Sequence, residues 1–238
     1  MESLKNKIVL ITGGTKGIGY GIAEVLMKQG AKVAITSRSK QAAADAVKSL
    51  SNLGLGEALA IEADVRNSKA QQVAVENVIK KWGKLDVLVA NAGLGYFESV
   101  ETLTDEQWQE TIDTNLTGVF YSVKASIPAL KESKGYIITI SSLAGTNFFA
   151  GGSAYNASKF GLVGFSQAIM MDLRNFGIKV TTIMPGSVAT HFNGAHPDSS
   201  DAWKIQPEDI GQMVVDLLKM NPRTLPSKIE VRPSIPGK

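Results

Sequence analysis

Short apolar runs, rich in β-branched residues, alternate along this chain with segments of helix length. The runs read KIVLIT, KVAIT, ALAIE, LDVLVA, YIITI, KVTTIM and, as a last candidate, KIEV. Between them apolar residues recur at helical spacing, as at Trp108, Ile112, Leu116, Val119 and Val123. This alternation predicts a doubly wound (Rossmann) α/β fold, with a mainly parallel sheet of about seven strands, right-handed crossovers and helices on both faces.

The length and composition suit a single globular domain. The chain has 238 residues, of which 44% are hydrophobic and 20% are charged, so it can bury a substantial core. No linker or internal repeat divides it. We therefore expect one domain over residues 1–238, in a soluble protein of the cytoplasm.

Charge, histidine and cysteine content narrow the chemistry. The 25 basic and 22 acidic residues are scattered and give a net charge of +3, which is too weak to indicate a nucleic-acid partner. The apolar run after Lys7 is far shorter than a membrane span, so no membrane partner is expected. With no cysteine, and with His191 and His196 as the two histidines, no metal site is expected. Catalysis would have to use oxygen and amine side chains or a borrowed cofactor.

The stretch TGGTKGIG, residues 12–19, joins the first predicted strand to a helix predicted to begin near Ile18. We call it the glycine loop. Its bare backbone and unpaired amides would lie at a helix N-terminus, where they form an anion site that a pyrophosphate can approach. An ordinary tight turn also needs glycine, but between a strand and a helix this pattern favours dinucleotide binding.

The spacing of Gly13, Gly17 and Gly19 resembles the TGxxxGxG loop of the short-chain dehydrogenase/reductase family. Further family motifs follow in order: ADV at 63–65, NAG at 91–93, Asn115 in TNLTGVF, the serine pair at 141–142, YxxxK at 155–159 and PGSVAT at 185–190. The resemblance covers roughly residues 7–190, and the rest of the chain matches only loosely.

Tyr155 and Lys159 in YNASK are four residues apart, so they share one face of a helix. A tyrosine with a pKa of about 10 exchanges protons poorly at neutral pH, and a nearby ammonium lowers that pKa. The pair therefore predicts a general acid and base, although the same spacing also occurs in ordinary amphipathic helices.

The resemblance implies a catalytic set of Asn115, Ser142, Tyr155 and Lys159. Ser142 would hydrogen-bond the reacting oxygen, Lys159 would also hold the nicotinamide ribose, and Asn115 would steady a water that links the lysine to solvent. Alternatively, Ser142 caps the end of a strand, and Asn115 is a polar residue inside a helix bonded to neighbouring backbone.

The resemblance also implies a cofactor site. Residues 64–65 would meet the adenine, residues 91–93 would lie along the ribose, and residues 185–190 would bind the carboxamide, although Asn91 and Gly93 could simply shape a turn. The full predicted set is Gly13, Thr15, Lys16, Gly17, Ile18, Gly19, Ser37, Arg38, Asp64, Val65, Asn91, Ala92, Gly93, Tyr155, Lys159, Pro185, Gly186, Val188 and Thr190.

The choice of nicotinamide depends on charge. NAD sites usually place an acid after the second strand, whereas NADP sites place an arginine there. This chain has Ser37 and Arg38 at that point, with no acid, and the glycine loop adds Lys16. Unless both cations are simply solvated surface residues, they predict NADP(H).

Six aromatic residues are available for a substrate pocket, which suggests a small apolar carbonyl substrate: Tyr96, Phe97, Phe148, Phe149, Phe192 and Trp203. A substrate lid is expected over residues 191–206. The predicted function is NADPH-dependent reduction of a ketone to a secondary alcohol, reversibly, with Tyr155 as general acid and base.

Two other functions remain open, a 3-oxoacyl-[acyl-carrier-protein] reductase and a non-catalytic NADP(H) sensor. Against the first, Ser133 and Phe176 are uncharged where carrier-dependent relatives keep arginines, although Lys131, Lys134 and Arg174 lie nearby in sequence. The family resemblance further implies a homotetramer or homodimer, paired through the segments 105–130 and 153–176.

Overall fold

The computed structural model describes residues 4–53 and 56–235. The ends of the predicted 1–238 domain and residues 54–55 lie outside the described part. All seven predicted runs form strands: β1 (Ile8–Thr12), β2 (Lys32–Ser37), β3 (Ala58–Glu62), β4 (Val87–Ala90), β5 (Tyr136–Ile140), β6 (Lys179–Pro185) and β7 (Lys228–Val231).

The seven strands form one sheet in the order β3-β2-β1-β4-β5-β6-β7. Each neighbouring pair is parallel. The predicted doubly wound fold is therefore confirmed, and its sheet is parallel throughout the described strands. The order reverses between β1 and β4, where the connections leave in opposite directions and open a crevice at the carboxyl edge of the sheet.

In the described ranges seven α-helices connect the strands: α1 (Gly17–Lys28), α2 (Lys40–Ser51), α3 (Ser68–Trp82), α4 (Asp105–Ile112), α5 (Gly118–Ser133), α6 (Ser153–Leu173) and α7 (Pro207–Lys219). A π-helical turn, Asp113–Thr117, joins α4 to α5, so the predicted long helix over 105–130 contains an irregular turn around Asn115. The predicted segment 153–176 ends in a 3-10 turn, Arg174–Phe176, after α6.

Alternate residues of β1 supply the two halves of the core. Val9 and Ile11 pack into a cluster with α1 and α7, whereas Ile8 and Leu10 pack into a cluster with α3, α5 and α6. Because helices cover both faces, the central strands are buried on both sides and appear in sequence as continuous apolar runs. Within the described residues, no helix has the length and apolar character needed to cross a membrane.

Candidate active site

The crevice at the carboxyl edge has a volume of about 760 Å³. It brings together the predicted site residues Gly13, Thr15, Lys16, Gly17, Ile18, Ser37, Arg38, Asp64, Val65, Asn91, Ala92, Gly93, Ser142, Tyr155, Lys159, Pro185, Gly186, Val188 and Thr190. Two predicted residues, Gly19 and Asn115, do not line the crevice and lie behind its wall.

The glycine loop is folded tightly against the strands behind it. Gly13 has a φ of +66°, and a Cβ there would lie 2.9 Å from the Cα of Ala92. A Cβ on Gly19 would lie 2.5 Å from the Gly13 carbonyl oxygen. Gly19 therefore serves the close packing of the loop rather than the lining of the crevice.

Backbone amides at the start of α1 face no capping side chain, because the N-cap residue Lys16 makes no such hydrogen bond. Orphan amides of this kind, together with the helix dipole, favour an anion. The Asn91 Nδ2 donates to the carbonyl oxygens of Thr12 and Gly13 at 3.0 and 2.9 Å. The side chain of Asn91 therefore shapes the loop, as the alternative interpretation of this residue has it.

Two threonine hydroxyls supply polar atoms to the crevice that the sequence analysis missed. Thr36 Oγ1 and Thr114 Oγ1 are buried and have no hydrogen-bond partner within the described structure. Both residues line the crevice. Because buried polar atoms are normally hydrogen-bonded, a bound ligand with polar groups fits this end of the site. Thr36 precedes Ser37 and Arg38, and Thr114 precedes Asn115. Their position beside predicted site residues could therefore have indicated them.

Arg38 forms an ion pair with an acidic residue of α4, Glu110, although no acid follows the end of β2. Its Nη1 lies 3.4 Å from Glu110 Oε1, and Arg66 Nη1 lies 3.1 Å from the same oxygen. Arg66 Nη2 also pairs with Asp64 Oδ2 at 2.7 Å. Burial opposes ionisation of Asp64, but the hydrogen bonds from Arg66 outweigh it and lower the pKa of that carboxyl. No sequence motif had indicated Glu110 or Arg66.

The structure brings together three of the four predicted catalytic residues. Tyr155 and Lys159 share one face of α6, and Ser142, which follows β5, lines the same crevice. The Ser142 Oγ also accepts from the Ala144 amide at 3.1 Å, so Ser142 caps a short turn as well. Lys159 Nζ lies 5.6 Å from the centroid of the Tyr155 ring and donates to the Ile140 carbonyl oxygen at 3.1 Å.

The predicted lowering of the tyrosine pKa is wrong for this arrangement. Burial raises the pKa of Tyr155 above its ordinary value of 10.0, and the hydrogen bond with Ser142 only partly opposes the rise. Burial also lowers the pKa of Lys159 from 10.5 to about 8. At neutral pH the site therefore holds a protonated phenol beside a lysine that is still mostly charged.

Asn115 is fully buried, and its side chain is occupied by backbone. Its Oδ1 accepts from the Leu94 amide at 2.8 Å, and its Nδ2 donates to the Leu94 carbonyl at 2.8 Å and to Ser158 Oγ at 3.0 Å. A Cβ on Gly93 would lie 3.2 Å from this Oδ1 and 3.6 Å from Lys159 Nζ. The side chain of Asn115 thus fixes the wall beside Lys159.

Three of the six candidate aromatic residues line the crevice: Phe97, Phe149 and Phe192. The ring centroids of Phe97 and Phe192 lie 5.4 and 5.7 Å from that of Tyr155. Tyr96, Phe148 and Trp203 do not line it. The Tyr96 hydroxyl donates to Glu110 Oε2 at 2.6 Å. The reacting end of the crevice is therefore apolar around the Tyr155 ring.

Asn156 holds the loop that follows Ser142, a role that the sequence did not indicate. Its Nδ2 donates to the carbonyl oxygens of Ala144 and Asn147, both at 2.7 Å. Its position beside Tyr155 in YNASK was the available signal. The same turn of α6 therefore carries the phenol and fixes the loop that bears its serine partner.

Comparisons with known proteins agree with the fold. The family model described as short chain dehydrogenase matches residues 7–200. The chain is 38% identical to trans-4-hydroxycyclohexanecarboxylate dehydrogenase of Sinomonas cyclohexanicum, over 79% of this chain and 75% of that protein. It is 37% identical to a 3-oxoacyl-[acyl-carrier-protein] reductase of Synechocystis, over 80% and 77%. A metagenomic short-chain oxidoreductase solved in complex with NADP superposes with a TM-score of 0.86 and 33% identity, covering 99% of this chain and 100% of that one.

Proposed function

Because this chain belongs to the short chain dehydrogenase family, we propose that it reduces a ketone to a secondary alcohol with NADPH, reversibly, and that Tyr155 is its general acid and base. The observation that carries the proposal is the pair Ser142 and Tyr155, which lines the same crevice as the glycine loop and Arg38. A binding protein without catalysis would have no chemical need for that pair.

The residues present fit a dinucleotide cofactor. The amides of the close-packed glycine loop can bind the pyrophosphate. The hydroxyls of Thr36 and Thr114, which have no partner in the described structure, can hydrogen-bond polar groups of the cofactor. In the proposal, residues 64–65 hold the adenine, Lys159 holds the ribose and residues 185–190 hold the carboxamide. When bound, the nicotinamide supplies or accepts the hydride.

The side chains supply the proton and hold the oxygen. Ser142 and Tyr155 both donate to the substrate carbonyl oxygen, where negative charge grows during reduction. Tyr155 then gives its proton to that oxygen, and its raised pKa keeps the proton in place until the charge develops. The ammonium of Lys159, close to the ring, stabilises the phenolate that remains. In the oxidation direction the phenolate takes the proton back.

The cofactor preference rests on charge. Arg38 and Lys16 line the adenosine end of the crevice, where they attract a 2′-phosphate. No acid follows β2 directly to bind a 2′-hydroxyl instead. The cofactor is therefore NADP(H), in agreement with the NADP complex of the similar metagenomic oxidoreductase.

An apolar ketone is the proposed substrate, because Phe97, Phe149 and Phe192 surround the approach to Tyr155. Phe192 belongs to the proposed substrate lid over residues 191–206. A dehydrogenase that acts on a ring alcohol, trans-4-hydroxycyclohexanecarboxylate, is among the similar proteins. In the substrate named for that dehydrogenase the charged carboxylate is on the ring carbon opposite the alcohol, so the reacting carbon itself has apolar neighbours. We propose the same for this chain, a carbonyl carbon flanked by bulky apolar groups.

The second candidate function is reduction of a 3-oxoacyl chain on its carrier protein. It is favoured by the similarity to the Synechocystis reductase and by one observation of the surface. Lys131 Nζ lies 3.5 Å from the centroid of the Phe176 ring, and Lys134 packs beside Gly177. These lysines place positive charge beside the positions where carrier-dependent relatives keep arginines, and such charge would steer an acidic carrier.

The proposed assembly is a homotetramer or homodimer. Large apolar side chains on α4, α5, α6 and the following turn are exposed, namely Trp108, Phe120, Phe160, Met171 and Phe176. Pairing of these helices between two copies would bury them. Light scattering should give a mass above that of the monomer at micromolar concentration, and a monomer would refute this part of the proposal. Cytoplasmic location and a single domain over 1–238 complete the proposal.

The test of the function is NADPH oxidation followed with a panel of ketones. We expect steady turnover with apolar ketones and the appearance of the secondary alcohol. Cofactor binding without turnover on any member of the panel would support the non-catalytic sensor instead. NADH turnover that equals or exceeds NADPH turnover would contradict the proposed cofactor.

A further inference from the structure

Glu110 contacts three side chains beside the end of the crevice that Arg38 lines, where the adenosine is proposed to bind. Its Oε1 lies 3.4 Å from Arg38 Nη1 and 3.1 Å from Arg66 Nη1, while its Oε2 accepts from the Tyr96 hydroxyl at 2.6 Å. Glu110 is on α4, 72 residues from Arg38 in sequence. The carboxylate thus reaches across the crevice wall to the cation proposed for the 2′-phosphate.

The charges of this cluster balance. Arg38 and Arg66 carry two positive charges, and Asp64 and Glu110 carry two negative ones. A phosphate monoester carries about 1.5 to 2 negative charges near neutral pH. It would therefore approach a group of side chains that is already neutral. Lys16, which lines the same crevice, makes no ion pair in the described part of the chain.

The pairs in the cluster differ in strength. Arg66 has a close pair with Asp64 at 2.7 Å, whereas the contact of Arg38 with Glu110 is the longest ion pair of the cluster, and the Arg38 side chain is 61% exposed. If Arg38 turned to a phosphate, Glu110 would keep Arg66 and the Tyr96 hydroxyl as partners. Exchange of this partner therefore leaves no carboxylate unpaired.

We propose that Glu110 is a specificity-determining residue that competes with the cofactor's 2′-phosphate for Arg38 and so limits the preference for NADP(H) over NAD(H). The inference rests on the proposed function, because it takes Arg38 as the partner of the 2′-phosphate. NAD(H) has a hydroxyl in place of that phosphate and gains nothing from Arg38 being free. Glu110 therefore acts on one cofactor and not on the other.

The experiment measures cofactor binding directly by titration calorimetry, with NADP⁺ and NAD⁺ as the probes. In Glu110→Gln we expect the Kd for NADP⁺ to fall about two- to fivefold, the range of a partly exposed ion pair. The Kd for NAD⁺ should change less than the Kd for NADP⁺. The gain should shrink as salt is raised, because the competing charges lie close to solvent.

Two further variants decide between explanations. Glu106→Gln removes the same charge one turn earlier on α4, away from the arginines, and should leave both Kd values unchanged. In an Arg38→Ala background, the gain from Glu110→Gln should fall by at least half, since the competition acts through Arg38. Thermal unfolding of each variant reports whether α4 is intact.

The outcomes separate this inference from the proposed function. If Arg38→Ala selectively weakens NADP⁺ but Glu110→Gln leaves its Kd unchanged or raises it, the competition is refuted and the cofactor site stands. If Arg38→Ala weakens both cofactors equally, Arg38 does not contact the 2′-phosphate, and both the inference and the proposed cofactor contact fail. A gain of equal size in Glu106→Gln would overturn the specific role of Glu110.

Discussion

The glycine loop and the proposed lid lie at the same crevice, yet they are built differently. In residues 12–19 only Lys16 is exposed, and the loop is held by Asn91 and by the close approach of Gly19 to Gly13. Most residues of 191–206 are exposed, and two short 3-10 turns are separated by irregular backbone. The glycine loop is defined by backbone packing, so it restricts which cofactor can bind. The proposed lid is an exposed surface loop, so its side chains do not identify the substrate.

The largest expected effect separates chemistry from cofactor binding within this comparison. Tyr155→Phe removes only the hydroxyl, and loss of a general acid should lower kcat for ketone reduction about a hundred- to ten-thousandfold. The Kd for NADP⁺ should stay nearly unchanged, because the glycine loop is untouched. Stopped-flow reduction and calorimetry measure the two quantities. Near-normal turnover would end the proposed mechanism.

The next effect concerns Lys159, which lies between the two regions. Its folded pKa of about 8 lies below the unfolded value of 10.5, so burial of the charged form destabilises the protein below pH 8 by about 3 kcal/mol. Lys159→Met removes that cost and also the hydrogen bond to Ile140, worth about 1 kcal/mol. The variant should therefore be inactive and more stable than the parent at pH 7.

The pH dependence has a definite sign. Between pH 8 and 10.5 the folded parent releases the Lys159 proton before the unfolded chain does, so the parent gains stability relative to Lys159→Met as the pH rises. Most of the advantage of the variant should disappear by pH 10. Urea unfolding of the parent and of Lys159→Met at pH 7 and pH 10 measures the difference between their free energies of unfolding. A constant difference would show that Lys159 is not buried with a lowered pKa.

A matched pair of glycine substitutions tests the comparison itself. In Gly19→Ala the new Cβ would lie 2.5 Å from the Gly13 carbonyl, and overpacking of this kind costs about 1 to 3 kcal/mol. Because the glycine loop would have to shift and misplace its amides, we expect up to the same 1 to 3 kcal/mol to be lost from cofactor binding, so that the Kd for NADP⁺ rises about 5- to 150-fold. Gly194 has a φ of +76° but nothing within 4 Å of a Cβ, so Gly194→Ala should strain the lid and leave cofactor binding unchanged. Equal effects on the Kd would contradict the distinction between the two regions.

The same distinction explains how far the sequence could be interpreted. Buried parallel strands appear as apolar runs, and tight packing of the glycine loop appears as fixed glycine spacing, so both were predictable. Glu110, by contrast, contacts Arg38 only because the fold packs α4 close to the end of β2, and no local sequence pattern predicts that contact. The pKa of Tyr155 was predicted in the wrong direction because spacing reveals a neighbouring lysine but not the depth of burial. The π-helical turn at Asp113–Thr117 likewise had no predicted counterpart.

The smallest expected effect separates the two enzyme functions. Because residues 133 and 176 are Ser and Phe, we expect attachment of a 3-oxoacyl chain to its carrier protein to raise kcat/KM only slightly over a short thioester of the same chain. Lys131 and Lys134 lie beside Phe176 and Gly177, so they could supply the positive charge that a carrier protein needs. The measurement compares the two substrates at low and high salt, with Lys131→Ala as the variant and Lys124→Ala, elsewhere on α5, as its control. A carrier advantage above about a hundredfold that collapses with salt and with Lys131→Ala, as screened charge steering requires, would instead make carrier-bound acyl chains the substrate.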